Sequence, residues 1–252
     1  MKVKKLLWIL VTILITTSML LGACVPAEPE ATEEAAVEEE EMAEEEEEMA
    51  EEEEEMAEEE EETGLGVVTI GSNAEYPPFE FVDEEGNMTG FDIELMKAIA
   101  EEAGFEYEFV NTRWDGIFVA LASGEFDAVI SAATITEERS EMVNFSDPYF
   151  NAGQRLAVRA DETEIMGPDD LAGKKVGVQL GTTGDIWLTD NTEAEVVRYD
   201  ENTLAFQALA NGDVDAAMAD GPTAVDIVKA NPDMDLKILD GVYTEEQYGI
   251  AV

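Results

Sequence analysis

Two similar α/β lobes are the fold this sequence predicts, on three observations. From residue 67 onward, short runs rich in β-branched residues alternate with amphipathic helical stretches, the pattern of largely parallel sheets covered by helices. The segment Leu121-Ala-Ser-Gly-Glu-Phe-Asp-Ala-Val-Ile-Ser-Ala132 recurs as Leu209-Ala-Asn-Gly-Asp-Val-Asp-Ala-Ala-Met-Ala-Asp220. Each half therefore carries the same helix end, glycine turn and apolar strand. Finally, the composition changes abruptly at residue 65 and sets this region apart from everything before it.

The elements before that break are an address and a tether. Lys2, Lys4 and Lys5 precede an uncharged run from Leu6 to Leu21, the charged-then-apolar order of an export signal. The run approaches the length of a membrane span, but it ends in Leu21-Gly22-Ala23-Cys24, which resembles the lipobox of bacterial lipoproteins. That resemblance implies cleavage before Cys24 and lipid on its thiol. Residues 1–23 are thus expected to be a signal peptide, and the protein to sit outside the cytoplasm, anchored to a membrane by lipid. Between Glu28 and Glu62 there are 23 glutamates and no Lys or Arg, with Met42-Ala43, Met49-Ala50 and Met56-Ala57 recurring every seven residues. Adjacent Met-Ala pairs make a thin coiled-coil seam and the glutamates repel at i,i+4, so 24–65 is expected to be a solvated, extended tether. Fully extended, residues 25–65 would reach roughly 140 Å.

Within 66–252 the first half is expected to hold strand 67–70, helix 91–103, strand 105–110, helix 114–122 and strand 128–131. In helix 91–103, Asp92 is the expected N-cap, Ile93, Met96, Ile99 and Ala103 form the apolar face, and Gly104 is the stop. The second half is expected to hold strands 175–178, 195–199 and 215–219, with helices 185–190, 203–210 and 222–229. In open α/β sheets, ligands bind beyond the carboxyl ends of strands, and the repeat directs attention to the residues after 131 and to Asp220.

Composition removes several functions. The chain contains 61 acidic and 13 basic residues, for a formal charge of −48. Within residues 66–252, 38 acids still face 10 bases, a balance that repels phosphate backbones and argues against a nucleic-acid partner. There is no histidine, so Ser-His-Asp triads, Cys-His pairs and His-ligated metals are excluded. Cys24 is the sole cysteine, and no intrachain disulfide can form. No cofactor or metal is expected.

The chain also carries an ordered set of motifs: Tyr76-Pro-Pro-Phe-Glu-Phe81, Gly90-Phe-Asp-Ile-Glu-Leu95, Trp114-Asp-Gly-Ile117, Thr134-Ile-Thr-Glu-Glu-Arg139, Phe145-Ser-Asp-Pro-Tyr149, Val176-Gly-Val-Gln-Leu-Gly-Thr-Thr183 and Asp213-Val-Asp-Ala-Ala-Met-Ala-Asp220. In this order they resemble the amino-acid-binding branch of the bacterial periplasmic solute-binding proteins. The resemblance implies a type II periplasmic-binding fold, with two lobes joined by crossover strands near 154–159 and 247–252 and a ligand in the cleft between them. Lobe one would be 66–154 completed by 247–252, and lobe two 155–246. Family members continue beyond the strand at 248–252, so the chain is expected to be a fragment.

Chemistry of the residues agrees with a zwitterionic ligand. Arg139 offers a planar fork for a carboxylate, with the hydroxyl and N–H of Thr134 nearby. The Gly181-Thr182-Thr183 loop opens a helix whose free N–H groups suit an anion, and Asp220 would take an ammonium. The resemblance assigns the same roles to Thr134, Arg139, Thr183 and Asp220, and adds the carbonyl of Ala132 as a second ammonium acceptor. It also assigns Tyr76 and Trp114 as aromatic walls around the ligand's side chain. Asn73 stands where relatives often carry Asp, which leaves side-chain specificity open, while Glu75 and Asp115 can add negative charge near the cleft. The implied partners are a free amino acid and the permease of an ABC-type importer, with the protein a monomer. An arogenate or prephenate dehydratase-like enzyme and a receptor ectodomain are alternatives on the same fold.

Overall fold

The computed structural model describes residues 66–252; the expected signal peptide, Cys24 and the tether lie outside the described residues. The chain enters on β1 (Val67–Ser72) and makes a small antiparallel meander of β2 (Glu75–Tyr76), β3 (Glu80–Val82) and β4 (Met88–Thr89). Helix α1 (Phe91–Ala103) follows, burying Ile93, Met96 and Ala100. It stops at Gly104, which adopts the left-handed conformation and returns its N–H to Ala100. Two expectations for this helix need correction. Ala103 is exposed, and Ala100 completes the buried stripe in its place. Asp92 is not the N-cap: Gly90 holds that position, and the Asp92 side chain turns into the interior.

Next come β5 (Glu106–Asn111) and α2 (Ile117–Ala122). The helix begins at Ile117 rather than at Trp114 because Gly116 is left-handed (φ 88°), and Trp114 is left in the turn before it. β6 (Ala128–Val129) is shorter than the expected 128–131 and leads to the four-residue helix α3 (Glu137–Ser140). The strands β5-β1-β6 form one parallel sheet.

Two short strands, β7 (Phe150–Ala152) and β13 (Glu246–Tyr248), pair antiparallel to each other. Between them in sequence lies a second, five-stranded sheet. Its elements are β8 (Gln154–Arg159), β9 (Lys175–Gln179), α4 (Thr183–Asn191), β10 (Glu195–Tyr199), α5 (Asn202–Asn211), β11 (Ala216–Asp220), α6 (Gly221–Ala230) and β12 (Leu236–Ile238). The order is β10-β9-β11-β8-β12, parallel through β10-β9-β11 and antiparallel where β8 and β12 join. The strand expected to cross at 154–159 is thus a full member of this sheet.

Apolar clusters cover both faces of the second sheet. Leu156, Val176, Val178, Leu188 and Met218 lie on one side, and Phe206, Leu209, Ala217 and Ile227 on the other. Such two-sided burial explains why β9 and β11 read as nearly continuous apolar runs. In the first half, Met96 of α1 packs with Ile70, Ala128 and Ile130, and Ile117, Phe118 and Leu121 of α2 pack with Val129.

The internal repeat is reproduced bond for bond. Gly124 and Gly212 are both left-handed (φ 79° and 81°) and return their N–H groups to Leu121 and Leu209. Asp127 and Asp215 each accept the N–H of the neighbouring strand, from Thr69 and Lys175, at 2.8 Å. Ala132 and Asp220 therefore end equivalent units on the two sheets.

Candidate functional site

Beyond β6 the chain passes through Ser131, Ala132 and Thr134, all buried. Ala132 is held at φ 45°, an uncommon conformation for a residue with a side chain. Asp92 holds it there: one carboxylate oxygen accepts the Ala132 N–H at 2.7 Å and the Tyr149 hydroxyl at 2.7 Å. Glu80 performs a similar service next door by accepting from Ser131 Oγ (2.9 Å), which in turn accepts from the N–H of Asn73 (2.9 Å).

Thr136 caps α3 by accepting from the Arg139 N–H at 3.1 Å, and this turn aims the Arg139 side chain inward. The guanidinium is buried, 7% exposed, with Nη1 donating to Thr134 O at 2.8 Å. Its carbon lies 5.0 Å from the ring centre of Trp114 and 4.8 Å from that of Phe118. Among the described residues no carboxylate comes within ion-pair distance of it. Burial lowers its pKa to about 10, so it remains a cation at neutral pH. A buried cation without a counter-charge is expensive; an anionic ligand would relieve it.

The opposing wall begins at Gly181, where Trp114 Nε1 donates to the carbonyl at 3.2 Å and Arg139 Nη2 approaches at 3.4 Å. Thr182 is the N-cap of α4 and accepts from Asp185 N. The N–H groups of Thr183 and Gly184 have no acceptor among the described residues, as the first turn of a helix leaves them. Asp220 closes β11 with its carboxylate buried, accepting from Gln154 Nε2 and from the Tyr248 hydroxyl. Burial first, and then the charge of Glu246, raises its pKa to about 6.

These groups face one cavity. Asn73, Tyr76, Trp114, Ala132, Thr134, Arg139, Thr183 and Asp220 all line it, joined by Glu80, Ser131, Gln179 and Thr182. Tyr76 is buried against Phe79, and Trp114 is partly exposed at the rim. Asn73 reaches across to the second sheet, accepting from Gln179 Nε2 at 3.2 Å. Glu75 lines a neighbouring outer pocket with Asp200 and Glu201, while Asp115 is exposed and lines neither.

Three participants escaped sequence reading. Gln179 sits inside the Val176–Thr183 motif but was not singled out; it also accepts from Asn202 Nδ2 at 2.7 Å. Gln154 touches Asp220, Glu246 and Thr183. Glu246 is buried behind the cavity, within a Glu-rich stretch where nothing in the pattern distinguishes it from its exposed neighbour Glu245.

Comparison with known proteins identifies the family. The family model described as bacterial extracellular solute-binding proteins, family 3, matches residues 68–225. The L-cystine-binding protein TcyJ of Escherichia coli strain K12 is 37% identical over 189 residues, 74% of this chain and 71% of that protein. A probable histidine-binding protein of Neisseria gonorrhoeae is 40% identical over 192 residues, 74% of this chain and 71% of that protein. Among solved structures, the arginine-bound form of truncated ArgBP from T. maritima is 48% identical, with a TM-score of 0.70 covering 74% of this chain and 88% of that one. The family model matches more than half of the chain, and the chain belongs to the bacterial extracellular solute-binding proteins, family 3.

Proposed function

We propose that this protein captures a free α-amino acid outside the cytoplasm and delivers it to the permease of an ABC-type importer. It is a binding protein, as its named relatives are, and not an enzyme. One observation carries the assignment of the site. The buried, uncompensated guanidinium of Arg139 and the unpartnered N–H groups at the start of α4 share a cavity with the Asp220 carboxylate. An α-amino acid has a charge for each on a single carbon. Its carboxylate would lie on Arg139 and the N–H groups of Thr183 and Gly184, and its ammonium on Asp220 and the Ala132 carbonyl. Its side chain would run between Tyr76 and Trp114 toward Asn73.

Arginine is the first ligand to test, because the relative of highest identity named above is arginine-bound. Asn73 supplies a neutral acceptor on the cavity wall for a cationic side chain. Closure would swing the first sheet against the second about β7 and β13, with residues 66–154 and 247–252 in one lobe and 155–246 in the other. Lipid on Cys24 and the acidic tether would keep the domain at the membrane near its permease. Mass spectrometry of the exported protein tests the anchor, and an unmodified Cys24 would overturn it.

For the binding function, calorimetry of the full chain against the twenty common amino acids is decisive. Saturable binding of one or a few, arginine among them, is expected; no binding by any of them would refute the reading.

A further inference from the structure

Glu246 lies in β13 and is 7% exposed, and its carboxylate collects four hydrogen bonds. Oε2 accepts from the hydroxyls of Thr134 and Thr183, each at 2.8 Å. Oε1 accepts from Thr244 Oγ1 at 2.7 Å and from Gln154 Nε2 at 3.1 Å. The two threonines on Oε2 come from opposite halves of the molecule. Thr134 follows β6 of the first sheet, and Thr183 is the first residue of α4 on the second. A single oxygen atom therefore ties the two walls of the cavity together from behind.

The chemistry of a hydroxyl makes this consequential. Each has one proton and two lone pairs, and here both protons are committed to Glu246. Neither Thr134 nor Thr183 has a hydroxyl proton left for a ligand carboxylate, contrary to what the sequence suggested for Thr134. The oxygens turn only lone pairs toward the cavity, and a carboxylate must be read by Arg139 and by backbone N–H groups instead.

We propose that Glu246 is a positioning residue for ligand binding, a latch that accepts from one threonine of each half and thereby fixes both hydroxyls as acceptors when the halves are together. The proposal rests on the amino-acid-binding reading of the cavity. With the halves apart, Glu246 can reach the threonine of one side only, so the latch contributes to the closed form and not to the open one. Because ligand is held in the closed form, that contribution appears as affinity. Gln154, which donates to both Glu246 and Asp220, couples the latch to the acid expected to meet the ligand's ammonium.

The test is a double-mutant cycle measured by calorimetry, using the tightest binder among the twenty common amino acids. Hydrogen bonds to a charged group make removal of either partner worth about tenfold in binding. Thr183→Val should therefore weaken binding by about tenfold in the otherwise unchanged chain, and by less than about twofold once Glu246→Ala is present. Glu246→Gln keeps the shape, but it removes the charge that strengthens both hydroxyl bonds, and with its amide oxygen on the two threonines it turns an NH2 donor toward Gln154 Nε2, which already donates there. It is expected to melt close to the unchanged chain and to bind at least about fivefold more weakly. A Thr183→Val effect that is the same with and without Glu246 overturns the latch, as does Glu246→Gln binding like the unchanged chain. Failure of the unchanged chain to bind any amino acid would instead remove the functional reading on which the latch depends.

Discussion

On the proposed function, Arg139 is the side chain expected to dominate recognition. Its guanidinium is desolvated, stacked beside Trp114 and Phe118, and without an internal counter-ion among the described residues. Truncating one member of a buried charge pair typically costs about 2–5 kcal/mol. Arg139→Ala is accordingly expected to lower amino-acid affinity by roughly thirtyfold or more in calorimetry. Arg139→Lys should recover little of it, because an ammonium cannot present a planar fork while also donating to Thr134 O. Asp220 adds a pH dependence. Its pKa is raised to about 6 by burial and by Glu246, yet an ammonium is attracted only to the ionised form. Its contribution to affinity should fall as pH drops below about 6, since binding must then displace a proton. Asp220→Asn should bind weakly at every pH and lose that acid limb, which titration calorimetry at several pH values would reveal. At this scale Arg139 was legible through the family resemblance, since by its surroundings alone it reads as an ordinary surface arginine in a Glu-rich helix. The sequence was silent for Glu246 and Gln154, whose roles arise from partners 112 and 66 positions away in the chain.

Elements were legible where one short segment dictates its own geometry. Helix α1 ends where Gly104 allows a left-handed cap, and the paired turns at Gly124 and Gly212 follow from the same rule. What the sequence obscured were features fixed by contacts between segments. Asp92 has the composition of an N-cap, but tertiary packing recruits it to hold Ala132, and the cap position falls to a glycine. The meander β2-β3-β4 and the pair β7-β13 comprise two or three residues per strand, too few for any periodicity to register. Gly90 makes the cost of such packing measurable. It stands at φ 123°, and a Cβ there would lie 2.2 Å from the Phe79 carbonyl oxygen, a backbone atom that cannot rotate away. Gly90→Ala combines a conformation worth about 1–3 kcal/mol of strain with that collision. Chemical denaturation should show a loss of stability in that range or above. Because β3 and α1 carry Glu80 and Asp92, binding should weaken as well.

For the molecule as a whole, the proposed function makes binding and closing a single equilibrium, whose pH dependence the contacts across the cleft would set. Asn73 meets Gln179, Trp114 meets Gly181, and Arg113 pairs with Asp200 at 3.0 Å near the surface. Beside that pair Glu75, from the first half, is hydrogen-bonded to Glu201 of the second, with Asp200 also close. Desolvation, the bond to Glu201 and the charges of Glu201 and Asp200 raise the Glu75 pKa to about 7. With the halves apart those charges withdraw, and the pKa relaxes toward the ordinary value near 4.5. Closing therefore takes up a proton between those two values. In that window the closed form binds more protons than the open one, so closing weakens as pH rises, and the contribution is spent above about 7. Asp220 imposes the opposite slope below about 6. Between about 4.5 and 6 the two slopes oppose each other, so affinity should be highest and nearly level there, falling below about 4.5 through Asp220, falling between about 6 and 7 through Glu75, and staying flat above about 7. Glu201→Gln removes the like charge and leaves an amide that can donate to Glu75. It should abolish the alkaline fall, keep the acid one, and raise affinity at pH 8 relative to the unchanged chain. Calorimetry in buffers of different ionisation enthalpy counts the protons directly. Net uptake near pH 7 should be present in the unchanged chain and absent in Glu201→Gln, and equal uptake in both would show that Glu75 is not the group that titrates.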